Sequence, residues 1–109
     1  MDADKKDETY DEFYDCVNMQ PKELEEWLET EGSKSVGDSD SGESTGHRSG
    51  RHIVKIKRTK KDDLTDDQYS HMSKVVGYIH RHLSQRPSGD IEDSDWRYSL
   101  MNWGHDPTK

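Results

Sequence analysis

The chain has 109 residues, a formal net charge of −8 and an apolar fraction of only 27%. This length limits it to one small domain, and so few apolar residues with so much charge predict that part of the chain is disordered. No apolar run can span a bilayer, the N-terminus lacks the apolar centre of a signal peptide, and Cys16 is the single cysteine; we therefore expect a cytoplasmic protein with neither an internal disulfide nor a cysteine-rich metal site.

The positive charge is concentrated in the middle of the chain. Residues 1–46 carry a net charge of −11, residues 47–86 carry +6 and residues 87–109 carry −3. An acidic protein that confines its cations to one segment is predicted either to bind an anionic partner with them or to pair them with its own acidic segments.

Two short helices are predicted in the N-terminal part, after a disordered segment of residues 1–7. Apolar side chains at three- and four-residue spacing predict the first helix from about Glu8 to Val17. The second runs from Pro21 to Gly32, because proline suits a first helical position and glycine a helix end. The serine-, glycine- and aspartate-rich residues 33–48 are predicted to form a flexible loop.

The basic segment that follows the loop has an ambiguous pattern. Val54 and Ile56 alternate with lysines, as in a strand. Ile53, Ile56 and Leu64 instead follow one side of a helix. We favour the helix, with Ser49 as its N-cap, because no partner strand is evident elsewhere in the sequence.

A capping box begins the next predicted helix. Thr65 is the N-cap and Gln68 its reciprocal partner, and an apolar stripe from Tyr69 to Leu83 continues until Pro87. A last short helix is predicted from its cap Ser94 to Gly104.

These segments predict an all-α fold, a small orthogonal bundle of four to five helices that spans residues 8–109 as a single domain. Trp27, Trp96 and Trp103 are predicted to fill the core, although such side chains can also stack on unpaired bases. Gly77 is expected to mark a close crossing by another helix, because glycine inside a helix costs about 1 kcal/mol relative to alanine.

The candidate binding residues are the cations of the basic segment. Lysine and arginine neutralise backbone phosphates, and a helix that presents several of them on one side can lie along a nucleic acid. The predicted contacts are Arg51, Lys55, Lys57, Arg58, Lys60 and Lys61, with Arg48, Lys74 and Arg81 as extensions. The competing interpretation is a solvated helix whose cations pair with the acidic N-terminal helices or with the aspartates that follow.

Patterns typical of catalysis or metal binding are lacking. The six histidines show no four-residue helical spacing with a third ligand nearby, and no serine or cysteine has the sequence context of a nucleophile. The stretch GESTGHRSGR lacks the lysine–threonine ending of a nucleotide-binding loop. We therefore expect no enzyme activity, no metal and no cofactor, unless a site is assembled in space from perturbed histidines beside a carboxylate.

Three segments, in order, resemble one small microbial domain family of unknown function that occurs in bacteria, haloarchaea and fungi. They are PKELEEWLETEGSKSVG, SGRHIVKIKRTKKDDLTDDQYSHMSKVVGYIHRHLSQRP and WRYSLMNWGHDP. The resemblance covers the chain from about Phe13 to Lys109 and implies a helical single domain. Members of that family are often labelled DNA-binding proteins, without assigned binding residues to carry over. Gln20 departs from the pattern, which tends to have a threonine or serine cap there.

The sequence thus leads to two hypotheses of function. The first is a non-enzymatic accessory protein that binds DNA or another nucleic acid through phosphate contacts of the basic helix. The alternative is a protein–protein interaction module, in which the helical bundle presents a groove or its acidic face to another protein and has no nucleic-acid role.

Overall fold

The computed structural model describes residues 2–36 and 45–109, and this part of the chain is built from helices without strands. The elements are α1 (Ala3–Cys16), α2 (Pro21–Leu28), α3 (Glu31–Ser35), α4 (Thr45–Lys57), a 3₁₀ turn (Lys61–Asp63), α5 (Asp66–Leu83) and α6 (Asp95–Asn102). The all-α prediction is confirmed, with six α-helices in the described residues where four to five were expected. None of these helices is both long and apolar enough to cross a membrane.

Helix α1 begins earlier than predicted. The carboxylate of Asp2 accepts a hydrogen bond from the backbone N–H of Lys5 at 2.8 Å and so caps the first turn. The prediction of disorder is therefore wrong for residues 3–7, which are helical. Lys6 also joins this turn to the start of α5, because its ammonium lies 2.7 Å from a carboxylate oxygen of Asp66.

The segment predicted as one helix from Pro21 to Gly32 forms two. Helix α2 starts at Pro21 as predicted, and it ends at Leu28. Thr30 then adopts an extended conformation, and its hydroxyl accepts a hydrogen bond from the backbone N–H of Ser33 at 3.2 Å. This second cap starts α3 inside the predicted helix, so α3 also takes up the first residues of the predicted loop.

The other end of the predicted loop is helical too. Helix α4 starts at Thr45, so residues 45–48 belong to it, and residues 37–44 of the predicted loop lie outside the described residues. Ser49, predicted to cap this helix, lies inside it and is only 3% exposed. Its hydroxyl is instead paired with the Nε2 atom of His71 on α5 at 2.9 Å.

The caps of α5 and α6 are confirmed. Thr65 Oγ1 accepts from the backbone N–H of Gln68 at 3.1 Å, and the Gln68 side chain accepts from the N–H of Thr65 at 2.9 Å. Ser94 caps α6 by accepting from the N–H of Arg97 at 3.1 Å. Gly104 follows α6 with a φ of +84°, a left-handed conformation that glycine adopts without strain.

A partly buried ion pair fixes the chain after α6. Nε and Nη2 of Arg97 each lie 3.2 Å from a carboxylate oxygen of Asp106. Thr108 adds two hydrogen bonds to the same carboxylate, from its backbone N–H at 3.0 Å and from its hydroxyl at 2.7 Å. Burial raises the pKa of Asp106, but the hydrogen bonds from Arg97 and Thr108 outweigh it and lower the pKa to about 2.

The core forms where α1 packs along α5 and α2 packs along α4, with α6 in contact with α2, α3, α4 and α5. Its fully buried apolar side chains include Phe13, Leu24, Ile53, Ile56, Met72, Ile79 and Leu100. Trp96 and Trp103 are buried among them, and Trp27 packs against them while partly exposed. The prediction that the tryptophans fill the core is therefore confirmed.

One buried polar side chain joins three helices. Asn102, at the end of α6, is 1% exposed. Its Oδ1 accepts hydrogen bonds from Trp27 Nε1 on α2 at 2.8 Å and from the Ser33 hydroxyl on α3 at 2.5 Å. Its Nδ2 donates to the Ser33 carbonyl at 3.1 Å. The amide thus satisfies three buried polar groups at once.

The close approach of helices occurs at a different glycine from the one predicted. A Cβ atom on Gly77 would meet none of the described atoms within 4 Å, so the predicted crossing there is wrong. A Cβ atom on Gly50 would lie 2.7 Å from both the Asn102 carbonyl oxygen and Leu28 Cδ2. Helix α4 therefore packs closely against α2 and α6 at Gly50.

Planar side chains of α5, of α6 and of Trp103 just after it stack in a column along the contact between the two helices. The rings are, in order, His71, Trp103, Tyr78, His82 and Trp96. Successive rings lie 4.1–6.3 Å apart, centre to centre, and within 15° of parallel. The order rises along α5 while it falls along α6, so the two helices run antiparallel.

Candidate nucleic-acid interface

The structure divides the predicted basic segment into cations that hold the fold together and cations on its outer face. Lys57 belongs to the first group. Its ammonium donates hydrogen bonds to the carbonyls of Val17 and Met19 at 3.2 and 3.0 Å and lies 5.4 Å from the centre of the Tyr14 ring. Burial lowers the pKa of Lys57, and the charge of Lys109 acts in the same direction. Lys57 thus fastens α4 to the connection between α1 and α2.

Two further cations pair with acidic residues of the N-terminal helices. The Arg58 guanidinium contacts the Glu25 carboxylate. The Lys61 ammonium lies 3.1 Å from a carboxylate oxygen of Asp7 and 4.7 Å from the centre of the Tyr10 ring. The hydrogen bond to Asp7 raises the pKa of Lys61. For these two cations the structure shows the pairing that the competing interpretation anticipated, although exposed ion pairs are weak and an anionic ligand can compete for them.

The other cations of the segment lie on the outer face of α4. Arg48, Arg51 and Lys55 are exposed and follow one another at intervals of three and four residues, which places them on one side of the helix. Lys60, just beyond the end of α4, is exposed as well. Arg48 and Arg51 line a shallow surface hollow of about 300 Å³ together with His52. We call Arg48, Arg51, Lys55 and Lys60 the outer row.

The predicted extensions on α5 differ in their position relative to this row. Lys74 is exposed and lines a pocket together with Arg48, so it lies beside the outer row. Arg81, two helical turns further along α5, is also exposed. The outer row and Lys74 therefore form a cationic surface contributed by two helices.

The pocket between α4, α5 and α6 has a volume of about 200 Å³ and is lined by imidazoles as well as cations. Its lining residues are Arg48, Ser49, His52, His71, Lys74 and Trp103. The rings of His52 and His71 meet edge to face, with their centres 4.5 Å apart. None of the described residues that line it is acidic. We call it the imidazole pocket.

His71 is held as a neutral base in this pocket. Burial is the main cause that lowers the pKa of His71 to about 4, and the charges of His52 and Lys74 contribute in the same direction, while the hydrogen bond with Ser49 opposes them. The pocket thus supplies the perturbed histidine that a site assembled in space requires, but its described lining lacks the carboxylate that would orient such a base.

Other reactive side chains are not arranged for catalysis or metal binding. Cys16 Sγ lies 3.3 Å from His80 Nε2, but burial, together with Asp15 and Glu12, raises the pKa of the thiol and so disfavours the thiolate. His47 is paired through Nε2 with the carbonyl of Leu28 at 2.6 Å. In residues 2–36 and 45–109, no three histidine, cysteine, aspartate or glutamate side chains converge as metal ligands would.

Sequence reasoning did not find the imidazole pocket. His52 and His71 are nineteen positions apart and lie on different helices, so neither helical spacing nor a local motif connects them. Only the packing of α4 against α5 brings them together. A signal did exist in the basic segment itself, since His52 lies directly beside Arg51 on the cationic side of α4.

Fold and site together define a small all-α protein with a cationic face on α4 and an imidazole-lined pocket beside it. Residues 12–101 match the family described as "Protein of unknown function (DUF3140)", and the chain belongs to that family. No curated protein and no solved structure matches the chain. Membership of a family of unknown function, which three sequence segments indicated, is thereby confirmed.

Proposed function

We propose that the protein is a non-enzymatic nucleic-acid-binding protein that contacts the phosphate backbone through the outer row. The observation that carries the proposal is the row itself: three exposed cations on one side of α4 and a fourth just beyond its end, in a chain of net charge −8. Lysine and arginine side chains neutralise phosphates and release counterions, and this contribution to affinity needs no base recognition.

The contacts of Lys57, Arg58 and Lys61 reduce the number of residues that we assign to phosphate binding. The Lys57 ammonium donates hydrogen bonds to two backbone carbonyls, so Lys57 stabilises the fold and is not counted as a phosphate contact. Arg58 and Lys61 have carboxylate partners and take part only where a phosphate displaces them. The acidic segments repel a polyanion at long range, so we expect modest affinity that falls steeply with salt.

A salt titration with matched charge variants tests this proposal. The test variant is Arg51→Gln/Lys55→Gln/Lys60→Gln, which removes three charges from the outer row. The control is Lys5→Gln/Lys22→Gln/Lys34→Gln, which removes three charges from exposed side chains outside α4. Fluorescence anisotropy of a labelled duplex and of a single strand measures the affinity of each protein over a range of salt concentrations.

We expect the test variant to bind the duplex more weakly and to flatten the plot of log affinity against log salt. Each lost phosphate contact removes about 0.9 from that slope, so three contacts remove about 2 to 3. The control variant should keep the wild-type slope. Equal weakening of both variants would mean that net charge alone acts and would reject the outer row as a site. No binding by folded wild-type protein at low salt would reject the nucleic-acid function.

A second candidate function is the protein–protein interaction module. A groove of about 330 Å³ between α2 and α4 favours it, because the groove combines the apolar side chains of Leu28 and Val54 with the charged side chains of Glu25, Glu29 and Arg51. Such a site would bind a partner protein with little dependence on salt, and the anisotropy of the labelled nucleic acid would not change when this protein is added.

A further inference from the structure

The phosphate contacts proposed for α4 share only Arg48 with the imidazole pocket, although the pocket has a more specific chemistry than the outer row. Every ionisable side chain among its described lining residues is a cation or becomes one on protonation: Arg48 and His52 of α4, His71 and Lys74 of α5. The remaining described lining is the Ser49 hydroxyl, paired with His71, and the ring of Trp103. No described lining group therefore offers a negative charge to an imidazolium.

This arrangement disfavours an imidazolium at His71 while the pocket contains only water. The ring centres of His52 and His71 lie 4.5 Å apart, and a positive charge on one ring raises the cost of a second on the other. An oxyanion bound beside both rings reverses that balance, because it accepts hydrogen bonds from N–H groups of the two rings and from the Lys74 ammonium. Protonation and anion binding are thus coupled by the geometry of the pocket.

The volume of the imidazole pocket and the residues that line it indicate which class of anion it can bind. A water molecule takes up about 30 Å³ in the liquid, so a pocket of about 200 Å³ can hold a tetrahedral oxyanion with a few waters. Several separate donors on two helices match an anion with oxygens on several sides better than a flat carboxylate. The cationic outer row beside the pocket can deliver such a group as part of a nucleic acid.

We propose that the imidazole pocket binds a phosphate group beside His52, His71 and Lys74 and that His71 takes up a proton as the phosphate enters. The group is either a phosphate of bound nucleic acid, in which case the inference rests on the function proposed above, or a free phosphate. Proton uptake makes binding stronger as the pH falls, by up to about tenfold per pH unit for each proton taken up.

Nuclear magnetic resonance of the imidazole side chains tests the pocket without nucleic acid. Sulfate is the probe, because it keeps the tetrahedral shape of phosphate and its charge does not change over the titration. We expect sulfate to shift the His52 and His71 signals saturably and to move the titration midpoint of His71 to higher pH. His52→Gln and Lys74→Gln should each weaken sulfate binding about tenfold or more. His80→Gln, an exposed change on α5 beside Cys16, should leave it unaltered.

A second arm identifies the source of the phosphate. Duplex affinity is measured from about pH 8 to about pH 5.5 for wild type, His52→Gln and His80→Gln, with folding checked by circular dichroism. Acid-enhanced duplex binding that His52→Gln alone removes supports a nucleic-acid phosphate in the pocket. Sulfate binding without that pH dependence supports a free phosphate instead. If sulfate does not shift the imidazole signals, the proposed phosphate site in the pocket is wrong. Salt-dependent duplex binding would in that case still support the outer row as the nucleic-acid contact.

Discussion

Replacement of Asn102 by alanine should destabilise the fold far more than its small size suggests. The side chain is buried and makes three hydrogen bonds, to Trp27 Nε1, to the Ser33 hydroxyl and to the Ser33 carbonyl. A typical intramolecular hydrogen bond contributes about 1 kcal/mol net, so three of them amount to about 3 kcal/mol. That loss is a large part of the about 5–15 kcal/mol that stabilises a domain. The cost is increased because the three partner groups would be left without replacement hydrogen-bond partners.

Urea unfolding, followed by circular dichroism, measures this loss for Asn102→Ala, Ser33→Ala and the double variant. Ser33→Ala removes only the hydroxyl and should cost about 1 kcal/mol. Both single variants lose the same bond between Ser33 Oγ and Asn102 Oδ1, so the double variant should cost about 1 kcal/mol less than their sum. A loss below about 1 kcal/mol for Asn102→Ala, or strict additivity of the two changes, would refute the assignment of this network.

Two glycines and one ion pair give further expectations for the free energy of unfolding. Gly50→Ala should cost about 1–3 kcal/mol, because its methyl group would lie 2.7 Å from Leu28 and from a backbone carbonyl of α6. Gly77→Ala, which meets no described atom within 4 Å, should instead stabilise by about 0.5–1 kcal/mol; the same sign for both variants in urea unfolding would contradict the packing of α4. The pKa of Asp106 is about 2 beside Arg97 and ordinarily 3.8, so its contribution is complete above about pH 4 and is lost as the pH falls through about 2. After allowance for solvent screening it amounts to about 1–2 kcal/mol, and the stability difference between wild type and Asp106→Asn should shrink over that range; a constant difference would contradict the assignment.

The predictions that the structure confirms depend on interactions within one turn of helix. The Thr65–Gln68 capping box, the Ser94 cap and the glycine after α6 are each determined by residues three or four positions apart, so the sequence alone specifies them. The second helix was predicted too long for a related reason, because Thr30 is a cap within an otherwise continuous helical pattern.

The parts that could not be predicted depend on contacts between distant segments. In the sequence, Lys57 is indistinguishable from the other cations of the basic segment. Its structural role depends on the carbonyls of Val17 and Met19, which only the folded chain places beside it. The pairing of Lys61 with Asp7 required a helical N-terminus, which the composition argued against. The contact between His52 and His71 likewise requires the packing of α4 against α5. Helical periodicity shows which face of a helix is apolar, but not which other helix packs against it.

The column of rings between α5 and α6 limits where the chain can change in length. Each residue turns a helix by about 100°, so one residue gained or lost between Trp96 and Trp103 would swing one indole out of the column while the other stayed in it. The connection from Ser84 to Ser94 carries none of the stacked rings, although Arg86 lies over the Trp96 ring, 5.5 Å from its centre. We expect insertions and deletions to be tolerated in this connection and excluded from the eight residues between the two indoles, counted inclusively.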